Sequence, residues 1–153
     1  MSALAHDYDA QIDRLGHIAY VIKRAEHTIK QAVEERLRPH GISIAKYAVL
    51  RVLSERPDSS GAQLARRCFV TPQTISTIIA SLVDQGLVER SAHPENLRVQ
   101  QTRLTEAGHA LLRRCQPHVD AVEAAFLSQL SHRDQLLLDE LLRRGIAGLR
   151  VSS

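Results

Sequence analysis

Apolar residues recur along most of the chain with helical spacing and predict a mainly helical protein. The first helix is predicted over residues 8–38, with a narrow apolar stripe typical of a helix that packs on another helix. The stripe contains Ile12, Leu15, Ala19, Ile22, Ile29 and Val33. Pro39 and Gly41 end this helix, and Ser43 is a good N-cap for a second one, which stops at Pro57. The second helix is apolar on more than one face, so we expect it to be central.

Two further helices are marked by start signals. Ser60 and Gln63 form a capping box of the S-x-x-Q type at the start of a short helix that ends near Cys68. The fourth helix has Thr71 as its cap and Pro72 at its first position, where the missing N–H costs nothing. Its apolar positions are Ile75, Ile78, Ile79, Leu82 and Val83, and Gly86 follows its end. This spacing predicts a one-sided amphipathic helix.

The opposite face of the fourth helix is polar but almost uncharged. It holds Gln73, Thr74, Ser76, Thr77 and Ser81, with no carboxylate before Asp84. An ordinary solvent-facing surface carries Glu and Lys, whereas short hydroxyls and an amide suit the floor of a DNA groove. A helix that merely packs on a core is the alternative interpretation.

Two short β stretches follow, at residues 87–90 and 98–104, and they are the only segments with strand character. The turn-rich segment 91–97 separates them. Thr105 then caps a long helix that runs through Leu130, in which Pro117 predicts a kink. A last, Leu-rich helix starts at Ser131. A helix-turn-helix followed directly by a β-hairpin is a winged helix-turn-helix.

The fold class is therefore mainly α with a small β-hairpin wing, in one unit over residues 1–153. We predict a winged helix-turn-helix DNA-binding lobe at residues 43–104. Residues 8–38 and 106–150 form a predicted helical dimerisation region, because their apolar stripes need a partner surface.

Composition adds only mild constraints. The 153 residues fit one compact unit, and the net charge of +3 with a pI of about 9.2 favours a polyanionic partner without requiring one. Cys68 and Cys115 lack metal-type spacing, and no apolar run is long enough to cross a bilayer. We expect a reduced, cytoplasmic protein with no membrane partner.

The chain resembles the multiple-antibiotic-resistance regulator (MarR) family. The resemblance is densest in "AQLARRCFVTPQTISTIIASLVDQGLVER" and "RLTEAG". It implies that Gln73, Thr74, Ser76 and Thr77 face bases and phosphates of double-stranded DNA. It also implies a homodimer formed through the terminal helices, and release from DNA by a small aromatic or amphipathic effector or by cysteine oxidation.

The resemblance further implies that Arg98 enters the minor groove from the wing. The family usually has Asp, Arg and Arg at the wing, where this chain has Asn96, Leu97 and Arg98. The predicted DNA-binding residues are Arg66, Gln73, Thr74, Ser76, Thr77, Ser81, Arg90 and Arg98. For the arginines, the alternative is an ordinary solvated side chain.

A small-molecule site is predicted where the first two helices meet the DNA-binding lobe. Its residues are His17, Tyr20, Tyr47 and Arg51, because tyrosine faces and a guanidinium suit an aromatic anion. Ordinary interface residues are an equally good explanation of these four positions.

Other chemistry is weakly indicated. The eight histidines are scattered without ligand spacing, so we expect no metal and no cofactor. No nucleophile elbow, Walker loop or metal motif is present, so we expect no enzymatic activity. Cys68 is either a small packing residue or a redox sensor whose pKa is lowered by Arg66 and Arg67. A helical dimer that binds another protein remains the alternative to a DNA-binding regulator.

Overall fold

The computed structural model describes residues 16–151. Six α-helices and three short strands follow one another in this part of the chain. They are α1 (His17–Leu37), a 3-10 turn (Arg38–His40), α2 (Ile44–Glu55), β1 (Ser59–Ser60), α3 (Gly61–Arg67), α4 (Pro72–Asp84), β2 (Val88–His93), β3 (Asn96–Leu104), α5 (Glu106–Leu127) and α6 (His132–Val151).

The first helix is shorter than predicted. It begins at His17, and the prediction of one continuous helix from residue 8 is wrong at Gly16, whose φ of 70° is left-handed and cannot continue a right-handed helix. The rest of the predicted segment, including Ile12 and Leu15, lies outside the described residues. At the other end, the 3-10 turn closes on Gly41, which has a φ of 68°.

The predicted caps of the next three helices are confirmed. The Ser43 side chain accepts a hydrogen bond from the Lys46 backbone N–H, and Ser60 and Gln63 make both bonds of the capping box. The Thr71 hydroxyl accepts from the Thr74 backbone N–H at 3.1 Å. These bonds satisfy backbone donors that helix geometry leaves unpaired.

The sheet is larger than the predicted hairpin. It has three antiparallel strands in the order β1-β3-β2, because Ser59 and Ser60 pair with Thr102 and Gln101. The expectation that strands occur only after residue 86 is therefore wrong, and two serines carry no periodicity that reveals a strand. Strand β2 extends to His93 and β3 already begins at Asn96, so the tip of the hairpin is much shorter than the predicted segment 91–97.

The core lies beneath the helix-turn-helix. Leu37, Leu50, Leu53, Leu64, Ile75 and Leu82 are its large, fully buried apolar side chains. Each helix of the lobe contributes at least one of them, so the recognition-like helix α4 is fixed by its apolar face and exposes its polar one.

The two C-terminal helices differ in how they bury apolar surface. Helix α5 buries Leu111, Leu112, Cys115 and Val122, and it continues through Pro117 to Leu127, three residues short of the predicted end. Helix α6 leaves six large apolar side chains exposed, namely Leu136, Leu137, Leu141, Leu142, Ile146 and Leu149. No helix within residues 16–151 combines the length and hydropathy needed to span a bilayer.

Candidate DNA-binding surface

Helix α4 presents the predicted polar face to solvent. Gln73, Thr74, Ser76 and Thr77 are all exposed, while Ile75, Ile79 and Leu82 on the other side are buried. Ser81 is half-buried and accepts a hydrogen bond from the Gln85 side chain at 3.3 Å. The four exposed side chains therefore form one surface at the N-terminal end of the helix, which we call the α4 face.

The hydroxyls of the α4 face are oriented by local hydrogen bonds. Ser76 Oγ donates to the Pro72 carbonyl at 2.9 Å, and Thr77 Oγ1 donates to the Gln73 carbonyl at 3.2 Å. Thr74 Oγ1 lies 2.8 Å from Thr71 Oγ1. Because a hydroxyl has one proton and two lone pairs, Ser76 and Thr77 are left with lone pairs that face solvent as acceptors.

Gln73 differs from its neighbours on the α4 face. Its side-chain amide makes no hydrogen bond to any residue that the structure describes, whereas both threonines and Ser76 use their hydroxyls locally. An unpaired carboxamide offers a donor and an acceptor side by side, the pattern that matches N7 and N6 of adenine in the major groove.

The arginines of the wing fall into two groups. Arg103 is held at the base, with Nε 3.2 Å from an Asp58 carboxylate oxygen and 3.6 Å from one of Glu89. Arg98 is exposed and has no acidic partner among residues 16–151. Asn96 Oδ1 accepts from the Arg98 backbone N–H at 3.2 Å, so it shapes the turn and leaves the guanidinium uncompensated.

The remaining predicted arginines are also exposed. Arg66 lies in the last turn of α3, and Arg90 lies on β2 opposite Thr102. Neither forms an ion pair with a described residue. Arg67, next to Arg66, is exposed as well, and sequence reasoning had no basis for choosing between the two.

The two thiols have the properties of packing residues. Burial raises the pKa of Cys68, whereas the redox alternative required Arg66 and Arg67, which are both exposed, to lower it. Cys115 is fully buried, and burial raises its pKa too. A raised pKa reduces the thiolate fraction that oxidation chemistry needs.

The four predicted ligand-binding residues are distributed over two helices. His17 and Tyr20 lie in the first turn of α1, and Tyr47 and Arg51 lie one turn apart on α2. Tyr47 is buried and donates to Gln116 Oε1 at 2.8 Å, while Arg51 is exposed and pairs with Glu55. Burial raises the pKa of Tyr47.

A separate apolar cavity of about 560 Å³ lies between α1, α2, α5 and α6. Glu26 and Lys30 are its charged lining residues, and none of the four predicted ligand-binding residues lines it. The apolar lining comprises Val21, Ile22, Ala25, Ile29, Ile44, Phe126, Leu138 and Leu142.

A capped helix with an uncharged polar face, a preceding short helix and a three-stranded wing define a winged helix-turn-helix protein. The sequence model of the MarR family matches residues 40–98. The chain is 32% identical to the HTH-type transcriptional repressor Rv2887 of Mycobacterium tuberculosis over 127 residues, which are 83% of this chain and 91% of that protein. It is 27% identical to the HTH-type transcriptional regulator MhqR of Bacillus subtilis, over 81% of this chain and 86% of MhqR. The chain belongs to the MarR family of transcriptional regulators.

Solved structures of similar proteins share the fold. Rv2887 in complex with DNA superposes with a TM-score of 0.67 at 32% identity, covering 82% of this chain and 94% of that one. A MarR family regulator from Silicibacter pomeroyi superposes with a TM-score of 0.79 at 25% identity, covering 93% and 96%. The predicted mainly helical winged fold is confirmed.

Proposed function

We propose that this regulator represses transcription by binding a pseudo-palindromic operator as a homodimer. The α4 face enters the major groove, and Arg98 of the wing lies over the adjacent minor groove. The observation that carries the proposal is the unpaired Gln73 amide among the oriented hydroxyls of the exposed α4 face, which holds no carboxylate. Because the proposed partner is the chromosome, we infer a cytoplasmic site of action.

Electrostatics support the same orientation of the protein on DNA. Arg66, Arg90 and Arg98 are exposed without ion pairs to any residue between 16 and 151, so their charges are available to phosphates. The N-terminus of α4 also carries the positive end of the helix dipole, which favours phosphate nearby. Specificity is assigned to the α4 face, and general affinity to the arginines.

The test begins with selection of bound genomic fragments by the purified protein. Single alanine substitutions at Gln73 and Thr77 should each cost about 1–3 kcal/mol of binding to the selected operator and relax base choice at one position per half-site. Gln85→Ala is the matched control, because Gln85 follows α4 and its amide already bonds Ser81. Wild-type affinity and base preference in both α4-face variants would contradict the proposal.

We infer that the exposed apolar surface of α6 forms the homodimer interface together with α1. Ile18 and Ile22 on α1 are exposed like the six apolar residues of α6, and a surface of this kind is a normal homodimer contact. Two-fold pairing would place the two α4 faces about one turn of DNA, roughly 34–36 Å, apart.

We further propose that a small aromatic acid releases the protein from DNA. Rv2887 has been crystallised with salicylic acid and with p-aminosalicylic acid. Two places in this chain suit such a ligand. One is the apolar cavity, which has Lys30 and Glu26 on its wall and shares Ile22 and Leu142 with the inferred dimer interface. The other is the predicted set of His17, Tyr20, Tyr47 and Arg51.

Salicylate titration of the operator complex distinguishes the two places. Lys30→Ala should abolish release if the cavity binds the carboxylate, and Arg51→Ala should abolish it if the predicted set does. Each variant serves as the control for the other, since both residues are exposed cations on helices. Failure of salicylate and p-aminosalicylate to release the wild-type protein would contradict this proposal without affecting DNA binding.

A further inference from the structure

The turn between α3 and α4 contains an aromatic residue in an unfavourable backbone conformation. Phe69 has a φ of 55°, in the left-handed region, and its side chain is 93% exposed. A bulky residue at positive φ is a genuine outlier, and an exposed phenyl ring gains nothing from burial. Two unfavourable features therefore coincide at one residue.

The turn itself needs only a left-handed residue. The Val70 backbone N–H donates to the Ala65 carbonyl at 3.0 Å, which closes helix α3 with a Schellman motif whose left-handed position is Phe69. The next helix of the same lobe ends in the same way, with Leu87 N–H bonded to the Leu82 carbonyl, and there the left-handed position is Gly86. Glycine would make the α3 turn without strain, so the phenyl ring must be explained by something outside the fold of the monomer.

The position of Phe69 next to the α4 face indicates that the ring contacts DNA. Phe69 lies two residues before Thr71, the cap of α4, at the end of the helix that bears Gln73 and Thr74. No acidic residue occurs between Phe69 and Thr77, and the exposed α4 face that follows Phe69 in the sequence is polar. The methyl group of thymine is the one apolar group that projects into the major groove, and phenylalanine is among the side chains that contact it.

We propose that Phe69 is a specificity-determining residue that packs on a thymine methyl group at the edge of the major groove. This inference rests on the proposed DNA-binding function and adds a base preference to it. The turn holds the ring outside the protein core, so the ring is available before DNA arrives and no apolar contact within the protein has to break on binding.

The experiment compares Phe69→Gly and Phe69→Leu with the wild-type protein on the selected operator. Phe69→Gly relieves the strain, so its unfolding temperature should equal or exceed that of the wild type, while its operator affinity should fall about tenfold. Phe69→Leu keeps an apolar group and should stay within about threefold of wild-type affinity.

Replacement of thymines by uracil, one at a time, identifies the contact. At one position in each half-site, uracil should weaken the binding of the wild-type protein, because the thymine methyl group that the ring contacts is gone. The same replacement should leave the binding of Phe69→Gly unchanged, because this variant has already lost the ring. A general loosening of the turn would not produce this coupling. Wild-type affinity for Phe69→Gly, or the absence of any position with this coupling, would overturn the inference. If the wild-type protein selects no operator at all, the proposed function itself fails.

Discussion

Substitution of Gly108 by alanine tests the packing that joins the wing to the long helix α5. A Cβ at this position would lie 2.1 Å from the Leu87 carbonyl oxygen and 3.3 Å from Leu104 Cδ2. The first contact is to backbone, so no rotamer change relieves it. Separation to 3.0 Å requires a shift of 0.9 Å (3.0 − 2.1) of either the wing base or the start of α5.

The same shift disturbs a hydrogen-bonded junction. Thr105 N–H donates to the Leu87 carbonyl at 3.1 Å, Thr105 Oγ1 donates to the Gly86 carbonyl at 2.6 Å, and Gly108 N–H donates back to Thr105 Oγ1 at 3.1 Å. Overpacking costs about 1–3 kcal/mol and weakening one of these bonds about 1 kcal/mol. Alanine regains up to about 1 kcal/mol of helix propensity, so the clash prevails and the net loss is about 2 kcal/mol.

The assay is thermal unfolding followed by circular dichroism at a fixed protein concentration, because dimerisation makes the midpoint concentration-dependent. A loss of about 2 kcal/mol lowers Tm by roughly 4–8 °C in a chain of this size. Gly61→Ala is the matched control, since a Cβ there meets nothing within 4 Å and Gly61, like Gly108, lies in the first turn of a helix. A Gly108→Ala midpoint within 1 °C of the wild type would refute the close approach.

Three further predictions concern charge, thiol chemistry and assembly. Arg98→Ala should flatten the slope of log affinity against log salt by about two units per dimer, whereas Arg103→Ala, whose charge is already paired, should change the slope little but destabilise the wing. Cys68 should react with iodoacetamide more slowly than free cysteine near neutral pH, because its raised pKa lowers the thiolate fraction. Its rate should rise as the pH increases, and rapid reaction at neutral pH would restore the redox alternative. Leu141→Glu, at a half-exposed position on α6, should give a monomer in sedimentation at micromolar concentration; an unchanged sedimentation coefficient would place the dimer interface elsewhere.

The helices of the lobe were predictable because their signals are local. A cap, a Pro at the first position and an apolar spacing of three and four residues act within one or two turns, so Ser43, Ser60 and Thr71 identify three helix starts without knowledge of the fold. The error at Gly16 has the opposite cause. Glycine is permitted inside a helical pattern, and its sequence neighbours do not show that it adopts a positive φ.

The conformation of Phe69 shows a second limit of local signals. Gly41 and Gly86 mark left-handed turns in the sequence by their residue type, but a phenylalanine in the same conformation has no such mark. Only the backbone hydrogen bonds of the turn reveal that the position requires positive φ, and only its exposure reveals that the ring is unpacked.

Long-range pairing decides which of the two arginines on β3 keeps an unpaired charge, and the sequence does not show this pairing. Arg98 and Arg103 lie on one strand, and both look like solvated cations in a hairpin. The pairing of Ser59 with Thr102 brings Asp58, 45 residues away in sequence (103 − 58), against Arg103. That contact exists only because β1 joins the sheet, and β1 consists of two serines without strand periodicity. Arg98 lies farther along β3, toward the hairpin tip, than the residues that pair with β1, and its guanidinium has no acidic partner among residues 16–151. The strand that sequence analysis missed therefore pairs Arg103 at the base of β3, which stabilises the hairpin, and leaves Arg98 at the other end of the same strand as an unpaired cation, which we propose contacts phosphate.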